Sequence, residues 1–222
     1  MSYRLRSELF YCISSGRVIF LDVLADRYFC LPRRSDAAFQ ALSRGSALTG
    51  SDRDALRPLI ENGLIRGSLE VDQPLPVTSI PRPDVALNSI GDGRPTKSMI
   101  AQAIYAQAMS TVSLRVRSFS QIVESLRTRK KNGQALKRER RAAYIDIKST
   151  FTRTTLLFPP ADRCLARSLA FLSVCHAYRL YPTIVFGVRT NPFAAHCWVQ
   201  SEDHILQDDA AEAPLFTPIM AI

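Results

Sequence analysis

Three residues in the last third of the chain have the types and the spacing needed for acyl-transfer chemistry: Cys164, His196 and Asp208. Cys164 opens an apolar stretch that predicts a helix from residue 163 to about residue 180. His196 and Asp208 lie in, or directly after, two short segments of strand character. A cysteine hydrolase needs this arrangement, because a base must reach the thiol and a third group must orient the base.

The position of Cys164 favours a reactive thiol over a structural one. Asp162 is the predicted N-cap, which would place Cys164 at the second helical position. There the unpaired N–H groups and the helix dipole lower a thiol pKa. The alternative is a buried apolar cysteine, the commonest fate of free cysteine, and we expect Cys175 and Cys197 to follow it.

The other two members of the arrangement leave choices open. Strand alternation places His196 on the same face as Trp198, and spacing alone allows His196 to be either a base or a core histidine. Asp208 and Asp209 must point to opposite faces, so only one of them can orient the imidazole. No metal-ligand motif and no glycine-rich phosphate loop occurs, so neither a metal site nor a self-contained nucleotide site is predicted.

Composition limits the class of protein. The 222 residues, 46% hydrophobic and 22% charged, fit one large or two small folded domains. No apolar run approaches the roughly 18–20 residues of a membrane span, and the N-terminus lacks the pattern of a signal peptide. The five scattered cysteines predict no disulfide framework. These features together predict a cytoplasmic protein without a membrane span.

Positive charge is concentrated in one segment of a chain whose net charge is +9. Residues 127–141 contain eight basic residues and one acid, Glu139. Such a run fits a solvated helix pair, or a contact with nucleic acid, a nucleotide or an acidic partner protein.

The first 72 residues predict a small domain. Segments 8–14, 17–24 and 27–31 read as strands joined by two-residue turns at Ser15-Gly16 and Ala25-Asp26. Two helical patterns follow, the first capped by Ser35 or Asp36 and the second by Ser51 or Asp52. A three-stranded meander beside small helices is typical of a winged helix-turn-helix-like domain.

A proline-rich linker is predicted for residues 73–96, because five of the 13 prolines lie between residues 72 and 96. Residues 97–222 then form the second unit. Its patterns predict helices first and short antiparallel strands afterwards, at 100–109, 114–126, 135–157, 163–180, 182–189, 196–200 and 204–206. This order is typical of an α+β domain.

Three motifs resemble those of a known family: Arg163-Cys-Leu-x-x-Ser-Leu169, Phe186-Gly-Val-Arg189 and Pro192-Phe-x-Ala-His-x-Trp-Val199. With them, residues 97–222 resemble the B proteins of lasso-peptide biosynthesis, transglutaminase-like cysteine peptidases that remove the leader from a ribosomal precursor. The resemblance implies that Cys164 is the nucleophile, His196 the base and Asp208 the orienting acid. It also implies no metal and no tightly bound cofactor, with any ATP dependence arising through a partner cyclase.

The N-terminal unit is similar to the peptide-recognition element fused to such peptidases. In that family the leader adds as a strand beside the third strand, here residues 27–31, in a groove closed by a helix, here residues 51–62. The implied partners are the leader of the lasso precursor and an asparagine-synthetase-like cyclase. The implied peptide-binding residues are Arg27, Tyr28, Phe29, Cys30, Leu31, Leu56, Leu59 and Ile60.

Two other functions fit parts of the sequence. One is a winged-helix nucleic-acid-binding protein that uses the net charge of +9. Asp52, Asp54 and Glu61 in the second helical pattern argue against it, so no nucleic-acid partner is expected. The other is a transglutaminase or another acyltransferase, since the same triad serves any acyl transfer.

Overall fold

The computed structural model describes residues 2–68, 85–86, 93–132, 140–158, 163–202, 204–207 and 212–222. Within these ranges the chain forms six α-helices and ten strands, with one short 3₁₀ turn at Ala213–Leu215. It is a mixed helix and sheet structure, as the sequence predicts.

The N-terminal strands form a meander and a separate pair. Their bounds are β1 Ser2–Leu5, β2 Leu9–Ser14, β3 Arg17–Asp22, β4 Arg27–Cys30 and β5 Ile65–Ser68. The meander has the order β2-β3-β4, and β1 pairs antiparallel with β5. Ser15 and Gly16 both have positive φ, which confirms the predicted two-residue turn. The second turn is longer than predicted, because β3 ends at Asp22, whose carboxylate accepts a hydrogen bond from the Ala25 N–H at 3.1 Å.

Two helices, α1 Arg33–Ser43 and α2 Gly50–Glu61, cover one face of the meander. The predicted caps of α1 are wrong: its N-cap is Pro32, and Asp36 is buried instead, where it accepts hydrogen bonds from Arg17 and the Val18 N–H. The N-cap of α2 is Thr49 rather than Ser51 or Asp52. Asp52 closes a reciprocal capping box with Thr49, so it stabilises the helix from inside the first turn.

The second unit contains four helices, α3 Lys97–Val116, α4 Phe119–Asn132, α5 Arg140–Arg153 and α6 Cys164–Ala177. The sequence predicts separate helices at 100–109 and 114–126, and the predicted boundary between them is wrong. The chain stays helical to Val116, because no glycine or proline interrupts it, and then breaks at Arg117, whose ψ is 144°. Helix α6 packs between α3 and the following strands.

A five-stranded sheet lies against α6. Its strands are β6 Val85–Ala86, β7 Thr183–Thr190, β8 Phe193–Ser201, β9 His204–Gln207 and β10 Thr217–Ala221, in the order β10-β7-β8-β9-β6. Strand β6 lies within the proline-rich stretch and pairs parallel with β9. The N–H of Gly93 donates to Ser149 on α5 at 3.0 Å. The described residues of the proline-rich stretch are therefore hydrogen-bonded to the second unit.

The two units share a core. Alternation along the meander sends Tyr11 and Phe20 toward α1 and α2. It sends Cys12, Ile19 and Leu21 into the cluster that is formed mainly by α3, α4, α6 and the second sheet. All five side chains are at most 2% exposed. The meander is consequently an apolar layer between the two units, and β4 lies at its open edge within the described residues.

Candidate active site

Cys164 is the first residue of α6 and is only half-buried. The N-cap is Arg163, whose carbonyl accepts the Arg167 N–H at 2.9 Å and whose side chain makes no cap. The thiol is thus at the first helical position, one residue nearer the N-terminus of the helix than predicted. The expected cap, Asp162, lies outside the described residues. At this position the thiol has access to unpaired helix N–H groups and to solvent.

Strand β8 carries His196 next to two aromatic side chains, one of which is Trp198, the residue that alternation places on the same face. The imidazole lies 5.0 Å from the Phe216 ring and 6.3 Å from the Trp198 ring. Across the strand pair the partner of His196 is Gly187. A Cβ built on Gly187 would come within 2.8 Å of Trp198 Cζ3, so only glycine leaves room for this aromatic wall. The imidazole therefore lies beside an aromatic surface whose close packing depends on Gly187.

The structure brings Cys164, His196 and Cys197 together. The side chain of Cys197 hydrogen-bonds the Cys164 sulfur, and so do the His196 side chain and the backbone N–H of Cys197. The hydrogen bond from the Cys197 side chain has the largest effect on the pKa of Cys164. Together with the other two hydrogen bonds it outweighs partial burial, which raises the pKa, and lowers the pKa to about 4. Cys164 is therefore a thiolate at neutral pH, paired with the imidazole that would act as base.

Cys197 is the site residue that the sequence reasoning missed. It is buried as expected. Its S–H can donate either to the Cys164 sulfur or to Ser168 Oγ on α6, which lies 3.8 Å from the Cys197 sulfur. Ser168, one helical turn after Cys164, donates to Gln207 Oε1 at 2.9 Å. This buried chain of polar groups ties the start of α6 to β8 and β9. Strand alternation predicts that Cys197 and His196 point to opposite faces, so the sequence does not indicate that both side chains reach Cys164.

The predicted orienting acid, Asp208, lies outside the described residues, and so does its alternative Asp209. Gln207, the last residue of β9, is opposite Val199 on β8. The role of Asp208 stays a prediction. Two other buried cysteines are unlike Cys164: burial strongly raises the pKa of Cys175 and raises that of Cys12, on β2, to about 12.

The predicted peptide-binding residues occupy two environments. The Arg27 guanidinium lies over the Phe29 ring at 5.5 Å, and Phe29 in turn stacks on Phe20. Tyr28 faces the other way, toward the catalytic unit. Three of the predicted residues, Leu31, Leu56 and Leu59, are buried in the core beneath the meander, whereas Cys30 and Ile60 are exposed.

The basic segment is partly used inside the molecule. Arg127 forms an ion pair with Glu8 of the N-terminal unit, and Lys130 Nζ donates to Thr183 Oγ1 at 2.9 Å. Among the described residues, no group of three His, Cys, Asp or Glu side chains could hold a metal ion. The helices in the described ranges also include none with the length and apolarity to cross a bilayer.

Comparison with known proteins gives one match, to the model of a family. No curated protein and no solved structure is significantly similar to the chain. The family model of the Transglutaminase-like superfamily matches residues 106–221, which include α6, β7, β8, β9 and β10. This match covers just over half of the chain and contains Cys164, His196 and Cys197. The chain belongs to the transglutaminase-like superfamily.

Proposed function

We propose that the chain is a cysteine peptidase that removes the leader from a ribosomally made lasso-peptide precursor. The observation that carries the proposal is the hydrogen bond between Cys164 at the start of α6 and His196, which helps to hold the thiol pKa at about 4. The superfamily includes cysteine peptidases, and the chemistry of this pair suits acyl transfer. The three motifs around Cys164, Phe186 and His196 support the finer assignment to leader removal.

The reaction follows from the protonation states of the pair. The Cys164 thiolate attacks the scissile carbonyl, a C–S bond forms, and the carbonyl electron pair moves to oxygen. The C–N bond then breaks as the His196 imidazolium gives its proton to the leaving amine, which is the N-terminus of the core peptide. Water, deprotonated by His196, hydrolyses the thioester and releases the leader as a carboxylate. Asp208 is the proposed group that orients the imidazole through this cycle.

The N-terminal unit would bind the leader by strand addition. Strand β4 is an edge of its sheet in the described structure, so its outer N–H and C=O groups offer a register for an added strand. Arg27 and Phe29 line the side that faces the helices, where they would contact alternate leader side chains. Ile60 on α2 is 40% exposed and fits the proposed groove wall.

Triad variants test the catalytic assignment. Cys164→Ala and His196→Ala should each remove leader cleavage, as followed by mass spectrometry of the precursor. Cys175→Ala is the matched control, because Cys175 is a fully buried cysteine on the same helix and should cleave normally. Cleavage by Cys164→Ala at the wild-type rate would refute the proposal. Products joined to an added primary amine, with no hydrolysis, would show a transglutaminase instead.

The choice of acid is tested in the same assay. Asp208→Ala should lower kcat by about 10⁴-fold if the carboxylate fixes the tautomer of the base, as in other triads. Asp209→Ala is its matched neighbour and should stay close to the wild type. A larger loss for Asp209→Ala would reverse the assignment.

The partner that would receive the core peptide is the asparagine-synthetase-like cyclase. The exposed part of the basic segment, including Lys131, supports a docking surface for an acidic partner. Replacing Lys131, Arg138 and Arg141 with glutamine should reduce association with the cyclase at low salt and leave cleavage unchanged. Equal association at low salt would show that the segment is only a solvated face.

A further inference from the structure

Near the end of β7 an arginine contacts the same aromatic ring as the proposed base. Arg189 Cζ lies over the Phe216 ring at 5.3 Å from its centroid, and the centre of the His196 imidazole lies 5.0 Å from that centroid. These two distances set an upper limit of about 10 Å on the separation of Arg189 Cζ from the centre of the imidazole. The guanidinium therefore borders the proposed catalytic pair, Cys164 and His196.

The register of β7 and β8 explains why the arginine and the histidine are neighbours. Gly187 pairs with His196, and Arg189 pairs with Ala194. Paired residues, and residues two apart on one strand, project to the same face of a sheet. Because Gly187 has no side chain, Phe216 can lie close to the strand; a Cβ on Gly187 would come within 3.0 Å of Phe216 Cβ. The backbone thus places Arg189, His196 and Phe216 on one face.

No described carboxylate neutralises the charge of Arg189. The ion pairs between described residues join Arg6 with Asp22, Arg17 with Asp36, Arg57 with Asp54 and Arg127 with Glu8. The Nε of Arg189 is buried, and none of the described residues accepts a hydrogen bond from it. A buried donor without an acceptor costs stability, and a guanidinium can hold a carboxylate through two parallel hydrogen bonds. The position and charge of Arg189 therefore suit an anionic group of a substrate.

We propose that Arg189 binds a carboxylate of the substrate, so that the enzyme prefers peptides with an acidic side chain close to the scissile bond. This inference deepens the proposed peptidase function and rests on it. An extended chain advances about 3.3–3.6 Å per residue, so the limit of about 10 Å places the acidic side chain within about three residues of the bond that Cys164 attacks. The preference would select peptides by charge at the catalytic pair, independently of strand addition at β4.

The test compares anionic and neutral reagents that alkylate Cys164, where a C–S bond forms and iodide leaves. N-iodoacetyl derivatives of glycine, 4-aminobutyrate and 6-aminohexanoate carry a carboxylate at increasing distances from the reactive carbon, and their carboxamides are the neutral counterparts. The readout is the ratio of the acid rate to the amide rate in full-length protein with Cys30→Ser, which removes the exposed cysteine. Any change in the thiolate fraction cancels in this ratio.

Arg189→Gln should lower the ratio by about ten-fold at the best chain length, the lower range for a hydrogen bond to a charged group. Arg189→Lys keeps the charge and loses the planar fork, so it should lower the ratio less. Arg163→Gln is the matched control, because Arg163 is exposed and directly precedes Cys164, and it should leave the ratio unchanged.

Two results would overturn the inference. An unchanged ratio in Arg189→Gln at all three chain lengths would show that the guanidinium holds no carboxylate. An equal fall in Arg163→Gln would show that the preference comes from general positive potential at the start of α6. A wild-type protein that leaves the precursor intact would refute leader removal alone, and the alkylation ratio would still decide the role of Arg189.

Discussion

Replacing Cys197 with alanine removes the thiol that hydrogen-bonds Cys164 and leaves the backbone N–H of the same residue in place. That side-chain bond is the largest of the effects that lower the pKa of Cys164 to about 4. A hydrogen bond to a charged group contributes about 1.5–3 kcal/mol, and one pKa unit corresponds to about 1.4 kcal/mol. The alanine variant should therefore raise the pKa of Cys164 by about one to two units.

The sign and the pH window follow from the direction of the change. Loss of a donor disfavours the thiolate, so the variant holds its proton to a higher pH than the wild type does. At pH 5 the fraction of Cys164 present as thiolate should be about two- to ten-fold lower in the variant. At pH 8 Cys164 should be fully ionised in both proteins. Reactivity at pH 8 is thus an internal control for folding.

The assay is the rate of iodoacetamide alkylation between pH 3 and 9, with the modified residue identified by mass spectrometry. A Cys30→Ser background removes the exposed cysteine that would react at alkaline pH. Cys197→Ser keeps a donor at the same place and should recover at least half of the shift. Cys175→Ala, fully buried on α6, should not shift the profile. An alanine variant with the wild-type midpoint would refute the role of Cys197, and a wild-type midpoint near 8.5, the value of a free thiol, would refute the whole electrostatic argument.

Three further substitutions test contacts that stabilise the fold, each by urea denaturation. Gly187→Ala should lower the free energy of unfolding by about 1–3 kcal/mol, because its Cβ would overlap Trp198 at 2.8 Å; an unchanged midpoint would contradict the close approach. Asp36→Ala should cost about 1–3 kcal/mol by leaving the buried Val18 N–H and Arg17 without their acceptor, and a neutral result would mean that water replaces it. Thr49→Ala should cost about 1 kcal/mol by opening the capping box of α2, unless another group caps the helix.

Local patterns were sufficient for most of the elements. The meander follows from alternating apolar residues and from Ser15-Gly16, since both signals act between neighbours in the chain. Strand β10 was missed because Thr217–Ala221 carries a proline and pairs with β7, about thirty residues away. The cap of α1 was misassigned because Asp36 is held by Arg17 on β3, a contact that no local rule contains.

The residues of the candidate site could also be predicted only in part from the sequence. Cys164 and His196 were identified from residue type, spacing and motif, and the structure brings them into contact. Cys197 was not assigned to the site from the sequence. Its proximity to Cys164 depends on how α6 packs against β8, which is set by burial over the whole core.

The shared core has a consequence for exchanging the N-terminal unit between related proteins. Cys12, Ile19 and Leu21 leave a continuous apolar surface exposed wherever the meander is separated from the catalytic unit. A chimera made by joining a foreign N-terminal unit at the proline-rich stretch would carry an unmatched buried face, and a successful graft must transfer both sides of that face. Because the meander packs into the core of the second unit, we expect the two units to unfold in a single transition. A peptide bound at β4 would then also raise the melting temperature of the second unit, by mass action on that transition.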